Sequence, residues 1–140
     1  MNEFQERLQD LLEKHNISRL RLAQILGVSS TTLNGYFNKN YFPQIDIAIK
    51  ISSYFGCSLS YLFGLSDIIE NTNKNSEPFI VNFERLLKEN RLPIARALRE
   101  LHMSEYNYYR WKRGKFPKTS NLVEIALYFD VSMDFLVGNV

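Results

Sequence analysis

A single cysteine among 140 residues leaves no partner for an internal disulfide and too few thiols for a cysteine-rich metal site. Cys57 aligns with Val131 in the repeat set out below, so it is expected to be a small apolar core residue. Histidine is also scarce. His15 and His102 have no metal-ligand partners at useful spacing, so neither a metal nor a cofactor is expected. No apolar run approaches the roughly 18 residues that cross a bilayer. Met1-Asn2-Glu3 opens an acidic amphipathic stretch unlike a signal peptide, so no membrane partner is expected and the cytoplasm is the expected compartment. The chain lacks a glycine-rich phosphate loop, an activated nucleophile and a carboxylate constellation, which argues against an enzyme; no small-molecule ligand is evident. Net charge is only +2, and the 45% hydrophobic and 23% charged content is that of a soluble globular chain. The charge is nevertheless uneven: residues 110–118 hold five cations and no acid, a local attraction for a polyanion.

What the chain does contain is a repeat. Phe4, Leu8, Leu11, Leu12, Ile17, Leu26, Ser29, Leu33 and Tyr36 return about 75 positions later as Phe79, Phe83, Leu86, Leu87, Leu92, Leu101, Ser104, Tyr108 and Trp111. After a one-residue loop deletion the match resumes 74 positions on, with Pro43, Phe55, Ser58, Leu62 and Gly64 becoming Pro117, Phe129, Ser132, Leu136 and Gly138. Self-similarity on this scale turns one fold question into a smaller one asked twice.

Each copy reads as five short helices, with no strand pattern. In the first copy Phe4, Leu8, Leu11 and Leu12 recur at helical spacing until His15-Asn16 ends the run. Ser18 is placed to cap a second helix with Leu22, Ala23, Ile25 and Leu26 inward, and Gly27 stops it. Ser29 caps a third helix running to about Phe37, so two helices meet at a tight turn. Asn38-Lys39-Asn40 is a loop; Pro43 precedes a fourth helix with Ala48, Ile51 and Phe55 inward; Ser58 caps a fifth with Leu59, Leu62 and Phe63.

The stretch from Ile17 to Tyr36 resembles the helix-turn-helix of the phage repressor and Cro family: Ala23 in the second helix, Gly27 in the turn, Val28-Ser29 leading out, Leu33 and Tyr36 facing inward. The likeness covers almost all of each copy, including the closing segment from Gly56 to Gly64. It implies an all-α fold of two tandem five-helix, lambda-repressor-like bundles: a first domain over 1–69, a polar linker over 70–78 and a second domain over 79–140. The second copy departs from the family pattern at two positions. Leu98 stands in place of Ala23, a larger side chain expected to push the two helices apart, and His102 replaces Gly27. Histidine enters the left-handed region more readily than most residues, at a strain of roughly 1 kcal/mol, so the turn is expected to survive.

An α-helix about 10–12 Å across fits a B-DNA major groove about 12 Å wide when its neighbours hold it proud of the bundle. The resemblance therefore implies double-stranded DNA as partner, read by the third helix of each copy. In copy one Ser30, Thr31 and Asn34 are the expected base-facing residues, with Thr32 and Gly35 nearer the flank, the capping Ser29 also at the DNA face, and Arg19, Asn38 and Lys39 toward phosphates. In copy two they are Glu105, Tyr106 and Tyr109, with Ser104, Asn107 and Arg110 at the flank and Lys112, Arg113 and Lys115 toward phosphates. Phosphate contacts position, and base contacts specify. Tyr106 and Tyr109 have polar counterparts in copy one, which leaves contact and simple exposure equally open. Trp111 sits at core spacing from Tyr108 and is expected to pack. Gly35, inside a helix, either permits close approach to DNA or is tolerated at an exposed site.

The polar middle of the 68–78 segment could span roughly 33 Å if about ten residues were extended, near the distance between half-sites on one DNA face. One chain would then imitate a dimer. Ile68 and Ile69 packing between copies or chains is the competing arrangement, and self-association into a homodimer stays open. The expected function is a sequence-specific transcriptional regulator of a bacterium or phage, acting as a repressor by occupying a promoter. The alternative is an antitoxin-like or dimerising protein-interaction module in which one or both copies no longer bind DNA.

Overall fold

A computed structural model describes residues 1–138, so the last two positions of the expected second domain lie outside it. The chain forms two compact units, Met1–Asn71 and Thr72–Val140. All regular structure among the described residues is helical. The first unit holds α1 (Glu3–His15), α2 (Arg19–Leu26), α3 (Ser30–Asn38), α4 (Ile45–Phe55) and α5 (Leu59–Leu62). The second holds α6 (Phe79–Glu89), α7 (Ile94–Glu100), α8 (Glu105–Lys112), α9 (Thr119–Phe129) and α10 (Met133–Val137).

Local chemistry sets the helix ends. Asn2 caps α1 by accepting from the Gln5 amide at 2.8 Å, while the Gln5 side chain accepts in return from the Asn2 amide at 3.0 Å, a reciprocal capping box. The hydroxyls of Ser18, Ser29 and Ser58 cap α2, α3 and α5 by accepting from the amide three residues on, without the reciprocal bond, and those of Ser104 and Ser132 do the same for α8 and α10. Gly27 ends α2 at φ 73°, a left-handed turn that costs glycine nothing. His102 follows α7 at φ 57°, so the histidine does adopt the conformation its position demands.

In unit one Leu8, Leu22, Leu33, Ile51 and Leu62 are almost completely buried, one from each helix. Phe4 stacks on Phe63 at 5.0 Å and meets Phe42 edge-on at 5.8 Å, closing α1 over the α5 end of the core. Cys57 is buried. In unit two Phe83, Leu122, Ile125, Met133 and Leu136 form the centre. Trp111 is 3% exposed and stands perpendicular to both Phe79 (5.4 Å) and Phe83 (5.5 Å). Tyr108, expected to be buried like Leu33, is only half-buried because its hydroxyl reaches out to donate to Glu84 on α6 at 2.9 Å. Leu98, in the position of Ala23, is buried as well.

The segment expected to be a free linker is divided between the units. Ile68 and Ile69 are exposed, and their carbonyls accept from the Ser58 hydroxyl (3.1 Å) and amide (2.6 Å), which ties them to α5. Residues 73–77 instead belong to unit two. The Asn73 side chain donates to the Asp134 carbonyl at 2.9 Å, and Asn75 donates to the Asn82 side chain at 2.5 Å and to the Phe135 carbonyl at 3.1 Å. Fully buried Asn82 completes the network by donating to the carbonyls of Glu77, Phe135 and Leu136. Buried amides need such partners, so a polar stretch that looks like spacer is held by side-chain hydrogen bonds.

Candidate nucleic-acid interface

One side of α3 is committed to the core. Leu33, Tyr36 and Phe37 are buried, and Gln5 on α1 fastens the end of the helix by donating to the carbonyls of Tyr36 and Lys39, both at 3.0 Å. The other side is exposed. Thr31, Asn34 and Asn38 are spaced three and four apart, so they share one face at 3.6 residues per turn. Ser30 lies beside them at the helix start. Ser29 and Thr32 hold each other: the Ser29 hydroxyl accepts from the Thr32 amide at 3.0 Å and donates to the Thr32 hydroxyl at 2.9 Å. These two side chains therefore shape the helix start, while Ser30, Thr31 and Asn34 are turned outward.

Gly35 differs from both expectations. It is buried, and a side chain at this position would collide with the Tyr41 hydroxyl, which lies against the helix backbone. Tyr41 also meets Tyr36 edge-on at 6.0 Å, so the glycine accommodates an aromatic pair of the same unit. Burial, and after it the neighbouring Tyr41 and Asp46, push the Tyr36 phenol above its ordinary pKa. Tyr41 was not singled out from the sequence; its only signal is its position three residues past the helix end.

Two cations flank α3. The Arg19 guanidinium lies 3.8 Å from the centre of the Phe37 ring, which holds the charge near the start of α2. Lys39 is exposed just beyond α3. Arg19 and Arg21 also border an open groove of about 590 Å³ where α1 gives way to α2.

The equivalent helix of unit two carries different chemistry. Tyr106 and Tyr109 are 71% and 63% exposed, in the positions of Thr31 and Asn34, and Arg113 takes the place of Asn38. The Arg113 guanidinium sits 5.3 Å from the Tyr109 ring centre and the Lys112 ammonium 5.4 Å from that of Tyr108. Glu105 is exposed in the first turn, where an acid suits the helix dipole. Ser104 caps the helix by accepting from the half-buried Asn107 at 3.3 Å. Arg110, Lys115 and Phe116 are exposed, the last of these not anticipated as part of the surface. Burial, then the bond to Glu84, raise the Tyr108 phenol pKa.

Glu100, an acid at the end of α7, is already engaged. It accepts from the Tyr128 hydroxyl at 2.6 Å and pairs with Arg96 at 2.8 Å, and these two contacts, Tyr128 first, draw its carboxyl below the usual carboxylate range. No group of three or more metal-capable side chains occurs among the described residues, and no helix there is long and apolar enough to cross a membrane.

No curated protein and no solved structure matches the chain. A Helix-turn-helix family model matches residues 8–62, from the middle of α1 to the end of α5, so the first unit carries the sequence pattern of the helix-turn-helix family.

Proposed function

We propose that this protein is a sequence-specific DNA-binding transcriptional regulator of a bacterium or phage, with α3 of the first unit entering the major groove and repression arising from occupation of a promoter. The observation that carries the reading is the exposed face of Thr31, Asn34 and Asn38 on a helix whose opposite side is locked into the core. Asparagine pairs with adenine through two hydrogen bonds, and the threonine methyl packs on a thymine methyl, so this face has the donors, acceptors and apolar tip that base edges require. Arg19 and Lys39 flank it where phosphates would pass. The family match over the same segment supports the assignment.

Unit two is proposed to contact the same duplex through α8, its cations supplying attraction for phosphates. Exposed Tyr106 and Tyr109 favour a second reading for that unit alone, a protein partner, because tyrosine and arginine are enriched in protein interfaces. The test is selection of bound duplexes from a random pool by the intact chain. Enrichment of a defined motif supports the regulator; sequence-independent binding or none refutes it.

A further inference from the structure

The third helices of the two units are equivalent in sequence yet present unlike faces. Thr31, Asn34 and Asn38 offer short hydrogen-bonding groups, whereas Tyr106, Tyr109 and Arg113 offer two exposed rings and a guanidinium. We infer that the chain recognises a non-palindromic duplex DNA site built of two chemically different elements: one adenine-containing and read by α3, the other thymine-rich and read by the tyrosine rings of α8. The inference rests on the proposed reading of this protein as a duplex DNA binder and names the kind of site it would occupy.

The reasoning follows from what each face can touch. In the major groove every base pair displays its own pattern, and only thymine presents a methyl group. A phenol ring has no pair of hydrogen-bonding groups with which to grip adenine as Asn34 can, but its apolar body packs against methyls. The Arg113 guanidinium, 5.3 Å from the Tyr109 ring centre, places a cation for a phosphate at the edge of the same face. Two identical protomers of a symmetric dimer read the same bases twice, which makes their sites palindromic. Here the two reading helices are covalently joined and chemically distinct, so no symmetry requires the two elements to match.

The charge around α8 selects a polyanion over a protein partner. Arg110, Lys112, Arg113, Lys115 and Lys118 all fall within nine residues, three of them lysines, a residue type depleted from protein interfaces and suited to phosphates. Glu100 does not neutralise them, since Arg96 and Tyr128 hold it.

The experiment uses the full chain in three forms: unaltered, Tyr106→Ala/Tyr109→Ala, and Thr31→Ala/Asn34→Ala. Each is used to select duplexes from a random pool, and the unaltered protein's best site is then remade with deoxyuridine replacing thymine in one element at a time. Two dissimilar elements are expected, each relaxed by only one of the double variants. Removing thymine methyls from the α8 element should weaken the unaltered protein about fourfold per methyl contacted and leave Tyr106→Ala/Tyr109→Ala unaffected. A palindromic or directly repeated motif overturns the inference while leaving the DNA reading intact. So does a single element sensitive only to the α3 variant, the outcome expected if α8 binds a protein. Absence of any enriched duplex removes the DNA reading itself.

Discussion

Replacing Lys112, Arg113 and Lys115 with glutamine isolates the electrostatic share of unit two. All three side chains are exposed, so their loss removes charge with little effect on the core. Two acids could mask the cluster. Glu100 is paired with Arg96. Glu105 opens α8 and Lys112 closes it seven residues on, about 10 Å at helical rise, with Arg113 and Lys115 beyond; that is more than the screening length of about 8 Å at physiological salt. Neither should cancel much of the attraction. Each neutralised phosphate contributes about 0.9 to the slope of log affinity against log salt, so the triple variant should lower that slope by up to about 2.7. Between 50 and 200 mM salt the unaltered protein would then lose about 40-fold more affinity than the variant. The matching pair in unit one, Arg19→Gln with Lys39→Gln, removes up to about 1.8 of slope, or about 12-fold over the same range. Fluorescence anisotropy with a labelled duplex across a salt series measures both, and thermal melts establish that the variants remain folded. A larger drop from the unit-one pair than from the triple variant would refute this division of labour.

Trp111→Ala should destabilise unit two by about 3–5 kcal/mol, because it empties a site packed against Phe79 and Phe83; urea denaturation with unchanged stability would place the ring outside the core. Asn82→Ala removes the side-chain donor to the carbonyls of Glu77 and Leu136, while the Phe135 carbonyl keeps Asn75, and should cost about 1–3 kcal/mol, with earlier amide exchange over residues 73–77; protection equal to the unaltered protein would show that this stretch is held by something else. Glu100 is held in its ionised form, so the stability it contributes is present above the ordinary carboxylate pKa and is lost as pH falls through its lowered value. The melting-temperature gap between the unaltered protein and Glu100→Gln should therefore be widest near neutral pH and close in acid; a gap independent of pH contradicts the pairing.

Signals carried by neighbours along the chain were legible in the sequence. Serine caps at 18, 29 and 58 and the Gly27 turn follow from residues within a few positions, and the helical spacing of Leu8, Leu11 and Leu12 identified their buried face before any contact was known. The exposed positions on α3 and α8 followed from the same periodicity. Contacts made across long sequence separations were not legible. Asn82 reads as a polar residue in a helix; only the carbonyls of Phe135 and Leu136, more than fifty positions away, explain its burial. Gly35 gave no sign of Tyr41, since a glycine reveals where space is needed but not what fills it. Tyr108 aligned with buried Leu33, yet its hydroxyl required a partner that a leucine does not, and Glu84 drew it to the surface. Aligned positions in a repeat share a backbone place; their side-chain chemistry decides the rest.

The measurement that bears most directly on DNA reading by α3 is a double-mutant cycle pairing Asn34→Ala with the adenine it is proposed to contact. Affinities of the unaltered and variant proteins are measured for the selected duplex and for a duplex with that A·T pair replaced by G·C. Direct readout predicts a coupling of about 1–3 kcal/mol: the base change harms the unaltered protein and hardly affects the variant. Additive losses at every position of the site, with no coupling to Asn34, would contradict it.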